Sequence, residues 1–133
     1  MAYLIDSDVS IAHLENNAET VALLERLSSD GVFISLITYM ELYQGWLEHP
    51  ERTSASKLDQ FVVGIPIITL SEDIVRRCAF LRMTLSNQGK RVRQRALDLL
   101  FAATAIEHNL TLVTRNVRDY RDVPGLMLFD DWS

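Results

Sequence analysis

Apolar residues fall into two kinds of run that alternate along this chain. The short ones, residues 2–5, 32–36, 65–70 and 110–114, are too brief for helices and carry the Val, Ile and Leu of strands buried on both faces. Pro66 marks the third as an edge strand or a strand start, and residues 127–129 predict a short last one. Longer segments between them follow the helical period. Residues 18–29 carry Val21, Leu23, Leu24 and Leu27, and a second helix runs from Thr38 through Leu42, Tyr43, Trp46 and Leu47. Residues 51–63 carry Leu58, Phe61 and Val62, and a long helix after Ser71 carries Ile74, Val75, Cys78, Leu81 and Leu85. Residues 97–107 are apolar almost throughout, as in a helix buried on most sides. Asp30-Gly31, Pro50, Asn87-Gln88-Gly89 and Asn109 supply the stops.

The starts are marked as well. Asp6, Ser7 and Asp8 offer cap side chains to the segment after the first strand, and Thr38-Tyr-Met-Glu41 fits the capping box. Short buried strands alternating with helices predict one α/β domain over residues 1–133, with a mainly parallel sheet covered by helices on both faces. No internal repeat, low-complexity tract or linker interrupts it. In open parallel sheets, sites form beyond the carboxyl ends of the strands.

Four acids are placed to meet there. Asp6 follows a strand directly, Glu41 falls in the first turn of the next helix, Asp98 stands at the mouth of the apolar helix, and Asp119 lies five residues past a strand. Each has a plain structural explanation: a cap, the return partner of the capping box, a charge at a helix N-terminus, a turn residue. Asp98 is the most telling, because a carboxylate entering an interior helix needs a partner, and Arg93 or Arg95 offers a competing salt bridge. Together, carboxylates crowded to about 4 Å repel by roughly 4 kcal/mol per pair at an effective dielectric near 20. A cation holds such a set together, and hard oxygen ligands suit Mg²⁺ or Mn²⁺.

Composition narrows the classes. At 133 residues and 48% hydrophobic the chain can build one core unaided, and the single cysteine, Cys78, excludes an internal disulfide framework and reads as a core residue. The N-terminal stretch lacks a basic region and meets a charge at Asp6, and no apolar run approaches the roughly 18 to 20 residues of a membrane span, so a soluble, cytoplasmic protein is expected. A net charge of −5 argues against a general nucleic-acid coat but permits a local basic face. Lys90, Arg91, Arg93 and Arg95 cluster just before Asp98, where arginine forks suit phosphate. His13, His49 and His108 show no ligand spacing, and there is no phosphate-cradling glycine loop, no G-x-S-x-G elbow and no Cys/His pair.

The segments bearing these acids are Tyr3-Leu-Ile-Asp-Ser-Asp8, Ser35-Leu-Ile-Thr-Tyr-Met-Glu-Leu-Tyr-Gln-Gly45, Arg95-Ala-Leu-Asp-Leu-Leu-Phe-Ala-Ala-Thr-Ala105 and Leu112-Val-Thr-Arg-Asn-Val-Arg-Asp-Tyr120. In order and over essentially the whole chain they resemble PIN-domain ribonucleases, and more narrowly the VapC toxins of toxin–antitoxin pairs. The resemblance implies a PIN-like three-layer α/β/α domain and makes Asp6, Glu41 and Asp98 the acidic triad that binds Mg²⁺ or Mn²⁺. Asp119 matches the fourth-acid region, and that position stays open between Asp119, Asp8 and a water held by Asn116. The implied activity is hydrolysis of RNA phosphodiester bonds by activated water, with Arg91, Arg93, Arg95, Arg115 and Asn116 as candidate contacts to substrate phosphate. A cognate VapB-type antitoxin and a homodimer are the implied partners.

Two rivals share part of the pattern. Asp6-Ser7-Asp8 after a strand also suits a haloacid-dehalogenase-like phosphatase with Asp6 as nucleophile, but that chemistry wants a poised lysine, and Lys57 and Lys90 lie in poor contexts. A catalytically silent binding module, PIN-like or receiver-like, would use the acidic pocket without cleavage. A receiver is expected to carry a lysine after its last core strand, where this chain has Thr114-Arg115-Asn116.

Overall fold

Every described strand pairs parallel to its neighbours, and across the sheet they run third, second, first, fourth, fifth in chain order. A computed structural model describes residues 1–132. Its strands are β1 Ala2–Ile5, β2 Val32–Ser35, β3 Ile67–Ile68, β4 Leu110–Val113 and β5 Met127–Leu128. Helices α1 Ser7–Leu14 and α2 Ala18–Leu27 join β1 to β2, and α3 Leu36–Glu48 and α4 Ala55–Gly64 join β2 to β3. Helices α5 Glu72–Asn87 and α6 Ala96–Glu107 join β3 to β4. Single 3₁₀ turns occupy Ser28–Asp30, Arg93–Arg95 and Val117–Asp119.

The strand residues divide by alternation between two cores. Tyr3, Ile5, Val32, Ile34 and Val113 pack with Val9, Leu23, Leu24, Leu42 and Leu58 of the first four helices. Leu4, Leu110 and Leu112 pack with Ile74, Cys78, Leu81, Leu85, Leu99 and the alanines of α6. The sheet is therefore the middle of three layers, and its central strands are apolar on both faces because both are covered. Leu4, Ile5, Ile34, Leu112 and Val113 are wholly buried, each contributing about 1.5 to 3 kcal/mol of transfer free energy. Cys78 is a free, buried residue of the second core.

Several boundaries differ from those read in the sequence. The capping box expected at Thr38 does not form: α3 starts at Leu36, directly after the strand and two residues before Thr38, Ser35 is its N-cap, and the Ser35 hydroxyl accepts the Thr38 N–H at 3.1 Å. Glu41 thus lies beyond the first turn and has no capping duty. The third strand shrinks to Ile67–Ile68 at the sheet edge, where Pro66 contributes only its carbonyl, to the Ile34 N–H at 3.1 Å. Residues 51–54 stay outside α4, which Ser54 caps. Ser71 caps α5 as expected. Gly31, with φ of +99°, makes the turn into β2 that a Cβ would strain. Among the described residues no helix is long and apolar enough to cross a membrane.

Candidate metal centre

The strand order reverses direction between β1 and β4, and Asp6 stands at that switch point, its N–H donating to the Val113 carbonyl at 3.2 Å. As N-cap of α1 it accepts the Val9 N–H on Oδ1 at 2.9 Å, while its carbonyl accepts the Ser10 hydroxyl at 2.9 Å. It is 5% exposed. Burial pushes its carboxyl from 3.8 up to about 6, opposed by the Thr114 hydroxyl and the Val9 N–H and reinforced by the charges of Asp8 and Asp98.

Glu41 is delivered from α3 to the neighbouring residue. The Ser7 hydroxyl donates to Glu41 Oε1 at 2.5 Å and lies 3.4 Å from the Thr38 hydroxyl, so the residue after Asp6 holds the second acid. Asp98 sits in the first turn of α6, half-buried, and accepts the Tyr120 hydroxyl on Oδ1 at 3.1 Å. Burial raises its pKa, as do Asp119 and Asp8, against the pull of Tyr120 and Arg95. Tyr120 is 3% exposed. Burial first, then Asp98, Asp6 and Asp119, hold its phenol above the ordinary range, so it remains a donor to the acids around it.

Asp119 is exposed at the end of the last 3₁₀ turn, close enough to raise the pKa of both Asp98 and Tyr120. Asp8 and Asn116 meet each other: Asn116 Nδ2 donates to Asp8 Oδ2 at 3.0 Å. The acids named from the sequence thus lie at the carboxyl end of the central strands. They do not close into a ready shell, since among the described residues no three His, Cys, Asp or Glu side chains stand together as a metal-holding group. Glu41 is turned to Ser7 and Asp98 to Tyr120. The donor chemistry fits a hard divalent ion, because the buried Asp6 is neighboured by acids and the nearby Arg95 is spent on Asp122.

The candidate phosphate contacts part company. Arg91 and Arg93 are exposed. Arg115 pairs with Glu19 at 2.9 Å and lies 4.2 Å over the Trp132 ring. Arg95 turns away from solvent: Nη1 and Nη2 grip Asp122 at 2.9 and 2.7 Å, and Nη2 also donates to the Asp119 carbonyl at 2.7 Å. The competing salt bridge of Asp98 with Arg93 or Arg95 is not formed, and Arg95 pairs with Asp122 instead.

A family profile for the PIN domain covers residues 3–126. The chain belongs to the PIN-domain family. Ribonuclease VapC2 of Rickettsia felis is 30% identical over 140 residues, spanning 100% of this chain and 99% of that protein. The tRNA(fMet)-specific endonuclease VapC of Shigella flexneri is 28% identical over 135 residues, with 100% and 99% covered. Among solved structures, that of VapBC2 from Rickettsia felis bound to a promoter DNA fragment superposes with a TM-score of 0.84 at 28% identity, covering 97% of this chain and 98% of that one. A toxin–antitoxin complex from Klebsiella pneumoniae gives 0.75 at 28% identity, covering 94% and 95%. PIN-domain VapC ribonucleases depend on a divalent metal.

Three polar side chains at this PIN-domain site escaped the sequence reading in their roles. Ser7 was visible only as a cap, Thr114 as the end of a strand, and Tyr120 as the neighbour of an acid. The usable signal was a Thr directly after an apolar run and a Tyr beside Asp119 leading into Val123, both of which the fold buries.

Proposed function

We propose that this chain is a divalent-metal-dependent endoribonuclease and the toxin of a type II toxin–antitoxin pair, with Mg²⁺ or Mn²⁺ as its ion. The observation that carries this reading is the buried Asp6 carboxylate at the sheet's switch point, surrounded by further acids and short of positive charge. Full-length similarity to VapC ribonucleases supports the substrate class, and similarity to VapBC complexes supports a VapB-type antitoxin as partner. The working unit is one domain over residues 1–133, cytoplasmic and homodimeric.

Asp6, Glu41 and Asp98 hold the ion, and Asp119 completes the set or orients water. The chemistry supplied by a bound divalent cation is Lewis-acid activation of water and neutralisation of charge at the phosphate. The chain's own residues prepare for it. The Val9 N–H and Thr114 hydroxyl aim Asp6, the Ser7 hydroxyl restrains Glu41, and the Tyr120 hydroxyl restrains Asp98. Arg91 and Arg93 offer guanidinium forks for backbone phosphates. A phosphatase using Asp6 as nucleophile lacks its lysine, because Lys57 is exposed on α4 and Lys90 lies 3.5 Å from Asp122.

RNA cleavage by purified protein, assayed with Mg²⁺ or Mn²⁺ and with chelator, tests the proposal. Cutting that requires the ion and disappears in Asp98→Asn supports it. Equal cutting with chelator or in the variant refutes it.

A further inference from the structure

Arg95 and Asp122 lie far apart in sequence but each sits three residues from an acid of the site: Arg95 precedes Asp98, and Asp122 follows Asp119. Their fork is bidentate at 2.7 and 2.9 Å, and the spare capacity of Nη2 goes to the Asp119 carbonyl. Lys90 adds a second cation 3.5 Å from Asp122. The Arg95 side chain is only 18% exposed. Between the two anchor points stands Tyr120, buried in the second core with Val123 and bonded to Asp98.

We propose that Arg95 is a positioning residue: through Asp122 and the Asp119 carbonyl it fastens residues 117–122 onto the start of α6 and thereby sets Asp98 and Asp119 against each other. Two carboxylates that repel need a mechanical tie if they are to wait at a shared ion, and a charge-assisted fork with two parallel bonds fixes orientation as well as distance. The same tie brings the Tyr120 hydroxyl onto Asp98. An arginine read from the sequence as a phosphate contact becomes a brace instead. The proposal rests on the metal-nuclease reading of the site.

The test compares wild type with Arg95→Gln and Asp122→Asn in the full chain. Three quantities are read: amide hydrogen exchange of residues 117–123, Mn²⁺ affinity by calorimetry, and kcat and KM for RNA. Core amides of β1 and β4 serve as the folding reference. Both variants are expected to lose protection in residues 117–123 while the core stays protected, and to lose about 10- to 100-fold in ion affinity and kcat with KM for RNA little changed. A rise in KM confined to Arg95→Gln, with protection and Mn²⁺ affinity intact in both variants, makes Arg95 a phosphate contact and overturns the proposal. Failure of the wild type to take up Mn²⁺ overturns the metal-nuclease reading and the positioning role with it.

Discussion

Replacing Asp6 by Asn removes a proposed ligand and should stabilise the ion-free protein. Asp6 is 5% exposed, and its pKa stands at about 6 against 3.8 for an ordinary aspartate, with burial as the main cause. The sign follows from proton binding. Between about pH 4 and pH 6 the folded protein holds this proton more tightly than the unfolded chain, so stability falls as pH rises through that window and levels off above it. At 1.36 kcal/mol per pKa unit the loss amounts to about 3 kcal/mol at pH 7. Asn caps a helix as well as Asp does and can keep the Val9 bond, so Asp6→Asn removes the charge without removing the cap. For a domain of this length the variant should melt roughly 10 °C above wild type at pH 7 without metal, with the gap closing towards pH 4. Mg²⁺ at about 100 times its Kd adds about 2.7 kcal/mol to the wild type, and the variant should gain little. Thermal melts of both proteins from pH 4 to 8, with chelator and with Mg²⁺, provide the assay. Parallel pH profiles, or a variant that melts lower at pH 7 without metal, would refute the account of Asp6 as a buried charge awaiting its ion.

Glu41→Gln should abolish RNA cleavage while leaving far-UV circular dichroism unchanged, because Glu41 has no capping duty in α3; loss of helix signal would show a structural role instead. Tyr120→Phe removes the hydroxyl that helps hold the Asp98 pKa down, so the acid limb of the cleavage profile should move to higher pH, and an unmoved limb would separate Tyr120 from Asp98. Leu99→Ala, at a wholly buried position beside Asp98, should cost about 2 to 5 kcal/mol in urea unfolding; a cost below about 1 kcal/mol would contradict the packing of the second core.

Much of the fold was legible because two periodicities are hard to confuse in this chain. Residues 2–5 are apolar without interruption and residues 110–113 are broken only by the small Thr111, as suits strands covered on both faces, and the spacing of Ile74, Cys78, Leu81 and Leu85 admits only a helix. The errors fell where a local motif had two solutions. Ser35 and Thr38 both offer a capping hydroxyl, and the strand's early end at Ser35 selected the first. Residues 65–70 look like a strand, but only Ile67 and Ile68 come into register with β2, and Pro66 lends just its carbonyl to Ile34. The destination of Arg95 was hidden for the same reason: Asp98, Asp119 and Asp122 are all acids within its reach once the chain is folded, and nothing in the sequence ranks them.

Residue pattern alone set the alternation of strands and helices, the parallel class of the sheet, and the presence of acids at strand ends and at the mouth of a buried helix, because these depend on periodicity and on residues adjacent in the chain. Which polar groups meet was settled by folding: Ser7 with Glu41, Tyr120 with Asp98, Asn116 with Asp8, and Arg95 with Asp122. Such pairings join segments that are distant in sequence. Their geometry is set by how two cores close over a five-stranded sheet, and hydrogen bonds are decided over a few tenths of an ångström, a resolution that hydrophobic pattern does not carry.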